Sequence, residues 1–317
     1  QASVLSLYDN SRPQQPSITG KKATWEIADT EIRNRLIEAK TKGGSMVILT
    51  PTLLSPSTKQ LIADFIMAYP AAKHVVYDPI SYSGIAIANE RNFGKHVVPG
   101  YHFENAGVIV SINADFLGTW ISPVEYTRQY VQNRKVSATQ TKMSRHYHLE
   151  SRLSLTGSNA DKRAVIKPSE EATAVVALYN KIAGLTGAAA LTGAQLTGKA
   201  EKVIAQAAED LVANKGKGLV VAGSNDPNVQ VVVNAINNML GSYGTTISLG
   251  RHSNTHQSSN KDMQLLMDDM NKGAINTLIV YGANPAYDHA DAKGFSEAIK
   301  KVETTISLND RSDETSA

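Results

Sequence analysis

Cysteine is absent from this sequence of 317 residues. A chain without thiols forms no disulfide, carries no thiolate nucleophile and offers no cysteine ligands to an iron–sulfur cluster. The absence fits oxidising and reducing compartments equally, so it indicates neither. We therefore expect no iron–sulfur cluster within this stretch of sequence.

Long apolar runs, basic runs and a glycine-rich nucleotide fingerprint are also missing. No run approaches the roughly 20 apolar residues that a membrane helix needs, so no direct membrane span is expected. The net charge is only +3, aromatic residues make up 6% of the chain, and no basic run is longer than Lys21-Lys22 or Lys300-Lys301. A nucleic-acid partner is therefore not expected. The missing G-x-G-x-x-G argues against a stand-alone dehydrogenase.

Four apolar runs that end in turn residues predict buried strands of a parallel sheet. They lie at 45–51, 107–115, 218–224 and 277–281. Apolar residues at helical spacing lie before and between them, for example over 25–42 and 228–240. This alternation predicts an α/β protein that binds its ligand in a crevice beyond the carboxyl ends of the strands.

The length of the chain favours two domains of ordinary size. The order of elements predicts two Rossmann-like three-layer αβα domains with mostly parallel sheets, one inserted in the other. We assign an interrupted domain to 1–72 and 185–317, and an inserted domain, with a helix that returns the chain, to 73–184. The sequence opens without methionine and stops just after a predicted strand, so we interpret it as an internal piece of a longer protein.

Residues that follow the predicted strands are the candidates for a ligand site. Gly118, Gly223 and Gly282 lie there, and a glycine serves either a tight turn or the close approach of a ligand to bare backbone. If they share one sheet edge, they line one crevice. We place Gly223, Gly282 and Asn284 on its floor, with Asp78 and Asp115 as its walls.

The eight histidines provide no strong metal motif. His252 and His256 have the spacing of a zinc-binding helix, but they lie in a polar segment and no glutamate follows His252. His146 and His148 alternate with Tyr147 along a predicted strand and therefore face one side. Solvent exposure or packing explains this pair, with metal binding as the lesser alternative. No G-x-S-x-G elbow nominates a catalytic serine.

Several blocks of the sequence resemble the molybdopterin oxidoreductase superfamily. These blocks are 8–13 with Trp25 downstream, 152–161, and 278–285. Three further blocks, at 93–101, 114–118 and 313–315, are most similar to the iron–sulfur subunit of alternative complex III, a respiratory quinol:electron-acceptor oxidoreductase. Together the blocks span essentially the whole chain.

This resemblance implies a pair of α/β domains of the kind that holds a bis-pterin cofactor in true molybdoenzymes. By resemblance to the alternative complex III subunit, this domain carries no molybdenum, and the iron–sulfur clusters lie in a region that would follow Ala317. The implied role is that of a structural and assembly domain in electron transport, without molybdopterin. The implied location is the periplasmic side of a bacterial inner membrane. Its partners would be the other subunits of a membrane-associated respiratory complex.

The alternative implied by the same resemblance is the pterin-binding part of the catalytic subunit of a bis-molybdopterin-dependent oxidoreductase. In such an enzyme the metal ligand lies near the start of the inserted domain. Asp78 or Ser81 would then be the ligand in this chain. The turn after a strand is the other explanation for Asp78.

Overall fold

The computed structural model describes residues 2–9, 12–193 and 195–316. Asn10 and Ser11, which belong to the first block of the resemblance, lie outside the described residues. The chain divides into two compact units. Unit 1 comprises Gln1–Ser81 and Gln257–Ala317, and unit 2 comprises Tyr82–His256.

The elements alternate along the chain as the sequence predicts. The strands are β1 (Ser17–Ile18), β2 (Lys21–Lys22), β3 (Ser45–Thr50), β4 (Ala72–Val76), β5 (Val98–Tyr101), β6 (Val108–Ile112), β7 (Arg145–Glu150), β8 (Lys162–Val165), β9 (Gly218–Ala222), β10 (Ile247–Ser253), β11 (Ile275–Val280) and β12 (Thr304–Ser307). The helices are α1 (Trp25–Thr41), α2 (Pro56–Ala68), α3 (Ser83–Phe93), α4 (Pro123–Gln132), α5 (Leu155–Ser158), α6 (Glu171–Thr186), α7 (Gly198–Ala213), α8 (Pro227–Met239), α9 (Asn260–Asn271), α10 (Pro285–Asp288) and α11 (Ala292–Ile299). Three 3-10 helices lie at Ala2–Tyr8, Phe103–Asn105 and Pro168–Glu170.

Several helices begin where the sequence supplies an oxygen that accepts a hydrogen bond from the first turn. The hydroxyls of Thr24, Ser55 and Ser259 accept such bonds at the starts of α1, α2 and α9. The carboxylates of Asp226 and Asp291 do so for α8 and α11. These contacts satisfy backbone N–H groups that a helix start leaves without partners, so the local sequence sets where each helix begins.

Unit 1 is built on a parallel sheet with the strand order β12-β11-β3-β4. Leu49 and Leu278 pack on one face with Phe295 of α11 and the methionines of α9. Ile48 packs on the other face with Leu36 of α1. Because both faces are covered, the strands consist of unbroken apolar runs instead of alternating ones.

Unit 2 is built on a second parallel sheet, with the order β8-β7-β6-β9. One face is covered by α6, α7 and α8, with Leu178, Ile204 and Ile236 in its core. The other face packs against an aromatic cluster that includes Phe103 and Tyr126. Strands β5 and β10 form a separate antiparallel pair. The two sheets confirm the predicted α/β class with mostly parallel strands.

The unit boundaries differ from the predicted domain boundaries at 72/73 and 184/185. Strand β4 pairs with β3 in unit 1, so residue 73 does not open the second unit. Strand β9 pairs with β6, and α6 packs on α7 and α8, so 185–256 belongs to unit 2 and α6 does not return the chain to unit 1.

Within the described ranges, no helix is long and apolar enough to cross a membrane.

The prediction that the three candidate glycines share one sheet edge is also wrong. Gly282 follows β11 in the sheet of unit 1, whereas Gly118 and Gly223 follow β6 and β9 in the sheet of unit 2. Both sheets consist of similar apolar runs, and strand pairing depends on contacts distant in sequence. For this reason the runs alone did not reveal which strands share a sheet.

Candidate functional site

The turn after β11 in unit 1 is closed by the last residues of the described chain. Gly282, at φ 69°, donates its N–H to Asn309 Oδ1 at 2.6 Å. The side chain of Asn284 accepts from Thr315 N at 3.1 Å and Thr315 Oγ1 at 2.7 Å, and donates to Glu314 Oε2 at 2.8 Å. The polar groups of this predicted crevice floor are therefore bonded within unit 1.

Asp78 lies after β4 and holds the turn after β3. Its two carboxylate oxygens accept hydrogen bonds from Thr52, from the backbone N at 2.8 Å and from Oγ1 at 2.6 Å. Ser81 is half-buried in the segment between β4 and α3. A molybdenum ion at Asp78 would have to share this carboxylate with the two hydrogen bonds from Thr52.

Asp115 in unit 2 holds α5 against the loop after β6. Its Oδ1 accepts hydrogen bonds from Thr156 N at 3.0 Å and Thr156 Oγ1 at 2.7 Å. The Thr156 hydroxyl accepts in turn from Leu117 N at 2.9 Å. A Cβ at Gly118 would lie 2.2 Å from Asp115 Oδ2, so the glycine makes room for this carboxylate.

Gly223 lies where β9 ends, beside the end of β6. Its N–H donates to Ile112 O at 2.8 Å. A Cβ at Gly223 would lie 2.3 Å from the carbonyl oxygen of Asn113, a distance that real Cβ contacts do not reach. Asn113 has φ 50°, and its side chain accepts from Ser151 N at 3.1 Å. Close packing of two backbones therefore explains this glycine without a ligand.

The remaining histidine candidates do not form a metal site. His256 contacts the carbonyl oxygen of Ile121 at 3.1 Å, and His252 lies in strand β10. Across residues 2–9, 12–193 and 195–316, no group of three or more His, Cys, Asp or Glu side chains is arranged to hold a metal ion.

A chain of buried polar side chains crosses the sheet of unit 2. Ser111 Oγ on β6 lies 2.9 Å from His146 Nε2 and 2.5 Å from His148 Nδ1, both on β7. Tyr130 OH of α4 lies 3.1 Å from His146 Nδ1, and His148 Nε2 lies 3.0 Å from Glu150 Oε2. Ser111 and both histidines are 0% exposed. The prediction that the two histidines face one side is confirmed, and packing in the core accounts for them.

Glu150 connects the buried chain to neighbouring elements. Arg163 of β8 donates its Nε–H to Glu150 Oε1, and Ser154 N donates to Glu150 Oε2 at 3.0 Å. A Cβ at Gly157 would lie 1.9 Å from Glu150 Oε1, so α5 packs directly on this carboxylate. One buried acid thus holds the edge strand β8 and the start of α5.

Ser111, His148 and Glu150 have the composition of a hydrolytic triad but not its setting. The nucleophile of a triad must reach a substrate, whereas Ser111 lies inside a central strand with no exposed surface. The arrangement is a satisfied polar core. The alternation of His146, His148 and Glu150 in the sequence predicts that these side chains share one face of β7. It does not identify Ser111 as their partner.

Burial shifts the ionisation of this network. It lowers the pKa of His146 well below its usual value. It also lowers the pKa of His148, against the opposing influence of Glu150. Burial by itself would raise the pKa of Glu150, but hydrogen bonds from Ser154 and Arg163 outweigh it and hold that pKa below its usual value. At neutral pH both histidines are therefore neutral and Glu150 is ionised.

The buried histidines predict a loss of stability on mild acidification. Their pKa values are lowered in the folded state, so below about pH 6.5, the ordinary histidine pKa, the unfolded chain binds more protons than the folded chain. The stability that depends on the neutral histidines is fully present above that pH. Below it, the free energy of unfolding decreases by at most about 2.7 kcal/mol per pH unit for two histidines. Urea titrations from about pH 8 to about pH 5.5 measure this slope.

Tryptophan fluorescence assigns this loss to unit 2, because Trp120 in unit 2 is 5% exposed and Trp25 in unit 1 is 71% exposed. The variant His96→Asn is the matched control, since His96 lies outside the buried network on an exposed surface. It should keep the full slope. A free energy of unfolding that stays constant over this pH range contradicts the account of the buried histidines.

Comparison with known proteins finds no matching family model and no matching curated protein. Solved structures do share the fold. Acetylene hydratase from Pelobacter acetylenicus superposes with a TM-score of 0.64 at 10% identity, over 96% of this chain and 54% of that chain. A chain of the formyltransferase/hydrolase complex from Methylorubrum extorquens, solved with methylofuran, gives 0.53 at 13% identity, over 93% of this chain and 86% of that chain.

This chain therefore spans about half of the acetylene hydratase chain that it matches. At 10% and 13% identity the likeness is one of fold alone. The chain has the mixed α/β architecture that is found in part of acetylene hydratase and in a component of the formyltransferase/hydrolase complex.

Proposed function

We propose that this chain is a structural and assembly domain of an oxidoreductase and holds no molybdopterin of its own. The likeness to acetylene hydratase supports a molybdopterin-enzyme-like fold. More narrowly, we assign the chain to the iron–sulfur subunit of alternative complex III, on the periplasmic side of a bacterial inner membrane. This narrower assignment draws on the sequence blocks that resemble that subunit.

One observation carries the proposal: the blocks that resemble the superfamily bind one another. In unit 1 the 278–285 block is tied to the 313–315 block through Asn284 and Thr315. In unit 2 the 114–118 block is tied to the 152–161 block through Asp115 and Thr156. Asp9 of the first block forms an ion pair with Arg311. Asn284 and Asp115, which the sequence places in the predicted crevice, here hold the fold together.

A cofactor at these strand ends would have to replace internal contacts. Thr52 occupies both oxygens of Asp78, and Asn309 occupies the N–H of Gly282. Phosphate groups are usually held by free backbone N–H groups and cationic side chains. Iron–sulfur clusters, which need thiolate ligands in nearly all cases, are assigned to another part of the protein because this segment has no cysteine.

An assembly role accords with the second structural neighbour, which is a component of a multi-subunit complex. In the proposed complex the partners are the other subunits of the membrane-associated respiratory assembly. Electron transfer then takes place in other parts of that assembly. This domain contributes a stable fold and surfaces for its partners.

Two variants of the assembled complex, Asp78→Ala and Asp115→Ala, test the proposal. Each removes the acceptor of two hydrogen bonds from a threonine, so we expect a stability loss of about 1–3 kcal/mol and a lower yield of complex. Quinol oxidation per assembled complex should stay unchanged. Asp29→Ala, on an exposed position of α1, supplies the background effect of losing a surface carboxylate.

The alternative function is the pterin-binding part of a catalytic subunit. The likeness to acetylene hydratase over 96% of this chain favours it. Under this alternative, Asp78→Ala abolishes turnover while the complex still assembles with its normal yield. That result would overturn the structural proposal.

A further inference from the structure

The buried chain in unit 2 is continuous from α4 to the edge strand β8. In order, it runs through Tyr130, His146, Ser111, His148, Glu150 and Arg163. Arg163, whose side chain is 28% exposed, is the member nearest to solvent. Each hydrogen bond in the chain holds one proton, so the protons can be counted from one end to the other.

The count begins at Glu150, which accepts from Arg163 and Ser154 and is ionised. A carboxylate only accepts hydrogen bonds, so the His148 nitrogen that faces it, Nε2, carries a hydrogen. A neutral imidazole has one N–H. His148 Nδ1 therefore accepts from the Ser111 hydroxyl.

The remaining bonds follow from the single hydrogen of the Ser111 hydroxyl. Since Ser111 donates to His148, it must accept from His146, and His146 therefore carries its hydrogen on Nε2. His146 Nδ1 then accepts from Tyr130 OH. All the donors from Tyr130 to His148 point towards Glu150, and the four bonds between these residues are satisfied. The single hydrogen of Tyr130 is then given to His146 and is not available to Asn159 O, which lies 3.1 Å from the hydroxyl.

One additional proton gives a second arrangement in which the same four bonds are satisfied, with the donors reversed between His148 and Tyr130. If His148 carries hydrogens on both nitrogens, its Nδ1 donates to Ser111, and the Ser111 hydroxyl turns to donate to His146 Nε2. His146 must then carry its hydrogen on Nδ1 and donate to the oxygen of Tyr130. The Tyr130 hydroxyl has an acceptor ready, because Asn159 O lies 3.1 Å away.

We propose that this buried chain is a proton-binding site that takes up one proton on His148 and converts His146 from its Nε2–H to its Nδ1–H tautomer in the same step. The proton comes from solvent. In the same step the Nε2–H bond of His146 is broken and an Nδ1–H bond is formed on that ring, so the net gain is one N–H bond on His148. This site is independent of the structural role proposed above, and it makes the core of unit 2 responsive to pH.

Charges around the site favour uptake on His148 and oppose a second proton. Glu150 on the same strand and Asp115 in the loop after β6 attract a proton to His148, whereas Arg163 on β8 opposes it. His146 faces the carboxylate of Asp161 and the guanidinium of Arg134, whose effects on it are opposed.

A second proton on His146 would also break the pattern of hydrogen bonds. Ser111 would then accept from both imidazoles, and its own hydrogen would have no acceptor among the atoms of the chain. An unsatisfied buried donor is costly, and two adjacent cations repel. The site therefore binds one proton.

Imidazole nitrogen NMR of the full chain, labelled with ¹⁵N, tests the proposal. At about pH 8 both histidines should show the Nε2–H tautomer. On acidification, His148 should gain a second hydrogen while His146 changes to the Nδ1–H tautomer, with a common midpoint. The proposal is overturned if His146 carries its hydrogen on Nδ1 at high pH, if it keeps one tautomer while His148 titrates, or if neither histidine changes before the chain unfolds.

The variant Ser111→Ala tests the connection between the two rings. Without the hydroxyl, His148 should still titrate but His146 should no longer change tautomer with it. Ser242→Ala is the matched control, since Ser242 is buried in unit 2 and donates to Gly218 O outside the chain; it should keep the common midpoint. A common midpoint in Ser111→Ala would overturn the proposal, and the wild-type series decides the question if that variant does not fold.

Discussion

Replacing Val280 with aspartate should lower the free energy of unfolding of unit 1 by about 4 kcal/mol. Val280 is 2% exposed and lies in β11, paired with Leu49 of β3 and Ser307 of β12. A carboxylate at this position would lie in a cluster of buried apolar side chains, so the fold must bury a charge or bind a proton. Chemical denaturation followed by circular dichroism measures the loss.

Leu61→Asp is the control for this substitution. Leu61 also belongs to unit 1, but it lies on α2 and is 68% exposed. Aspartate there costs only the few tenths of a kcal/mol by which it is a poorer helix former than leucine. A Val280→Asp protein that unfolds with the parent would show that β11 is not a central strand.

Replacing Gly223 with alanine should destabilise unit 2 by about 3 kcal/mol. The new Cβ would lie 2.3 Å from the carbonyl oxygen of Asn113. Backbone cannot move aside as a flexible side chain can, so the ends of β6 and β9 must separate. Denaturation followed by the fluorescence of Trp120 measures the effect.

The variant Gly184→Ala, in the same unit, should have the opposite effect on stability. Gly184 lies within α6, and a Cβ there would meet no atom within 4 Å. Alanine should therefore stabilise the helix by about 0.5–1 kcal/mol. If Gly223→Ala is as stable as the parent, close packing does not explain this glycine, and the approach of a ligand to bare backbone becomes the better explanation.

The strands of both units could be predicted because burial on both faces leaves a simple signal. The predicted runs at 45–51, 107–115, 218–224 and 277–281 coincide with or overlap β3, β6, β9 and β11. Which of these strands share a sheet could not be predicted, because pairs such as β6 with β9 join residues that are about a hundred positions apart. Strand β5 was missed because Pro99 and Gly100 are unusual within strands.

The candidate residues could be located at strand ends, but their partners could not. The sequence predicted that Asp115 and Asn284 follow strands, and in the structure they do. Nothing in the local pattern indicated that Thr156 and Thr315 would occupy their side chains. The buried chain in unit 2 was missed for a similar reason, since Ser111 occurs within an otherwise apolar run and its histidine partners are more than thirty residues away.

The central claim, that this domain is structural and holds no molybdopterin, is tested most directly by analysing the intact full-length protein for bound cofactor. Molybdenum and tungsten are measured by elemental analysis, and pterin by its fluorescence after oxidation, in protein recovered from gel filtration. We expect neither metal nor pterin in stoichiometric amount, because internal hydrogen bonds occupy Asp78, Asn284 and Asp115. Stoichiometric molybdenum or tungsten that stays with pterin through gel filtration would contradict the claim.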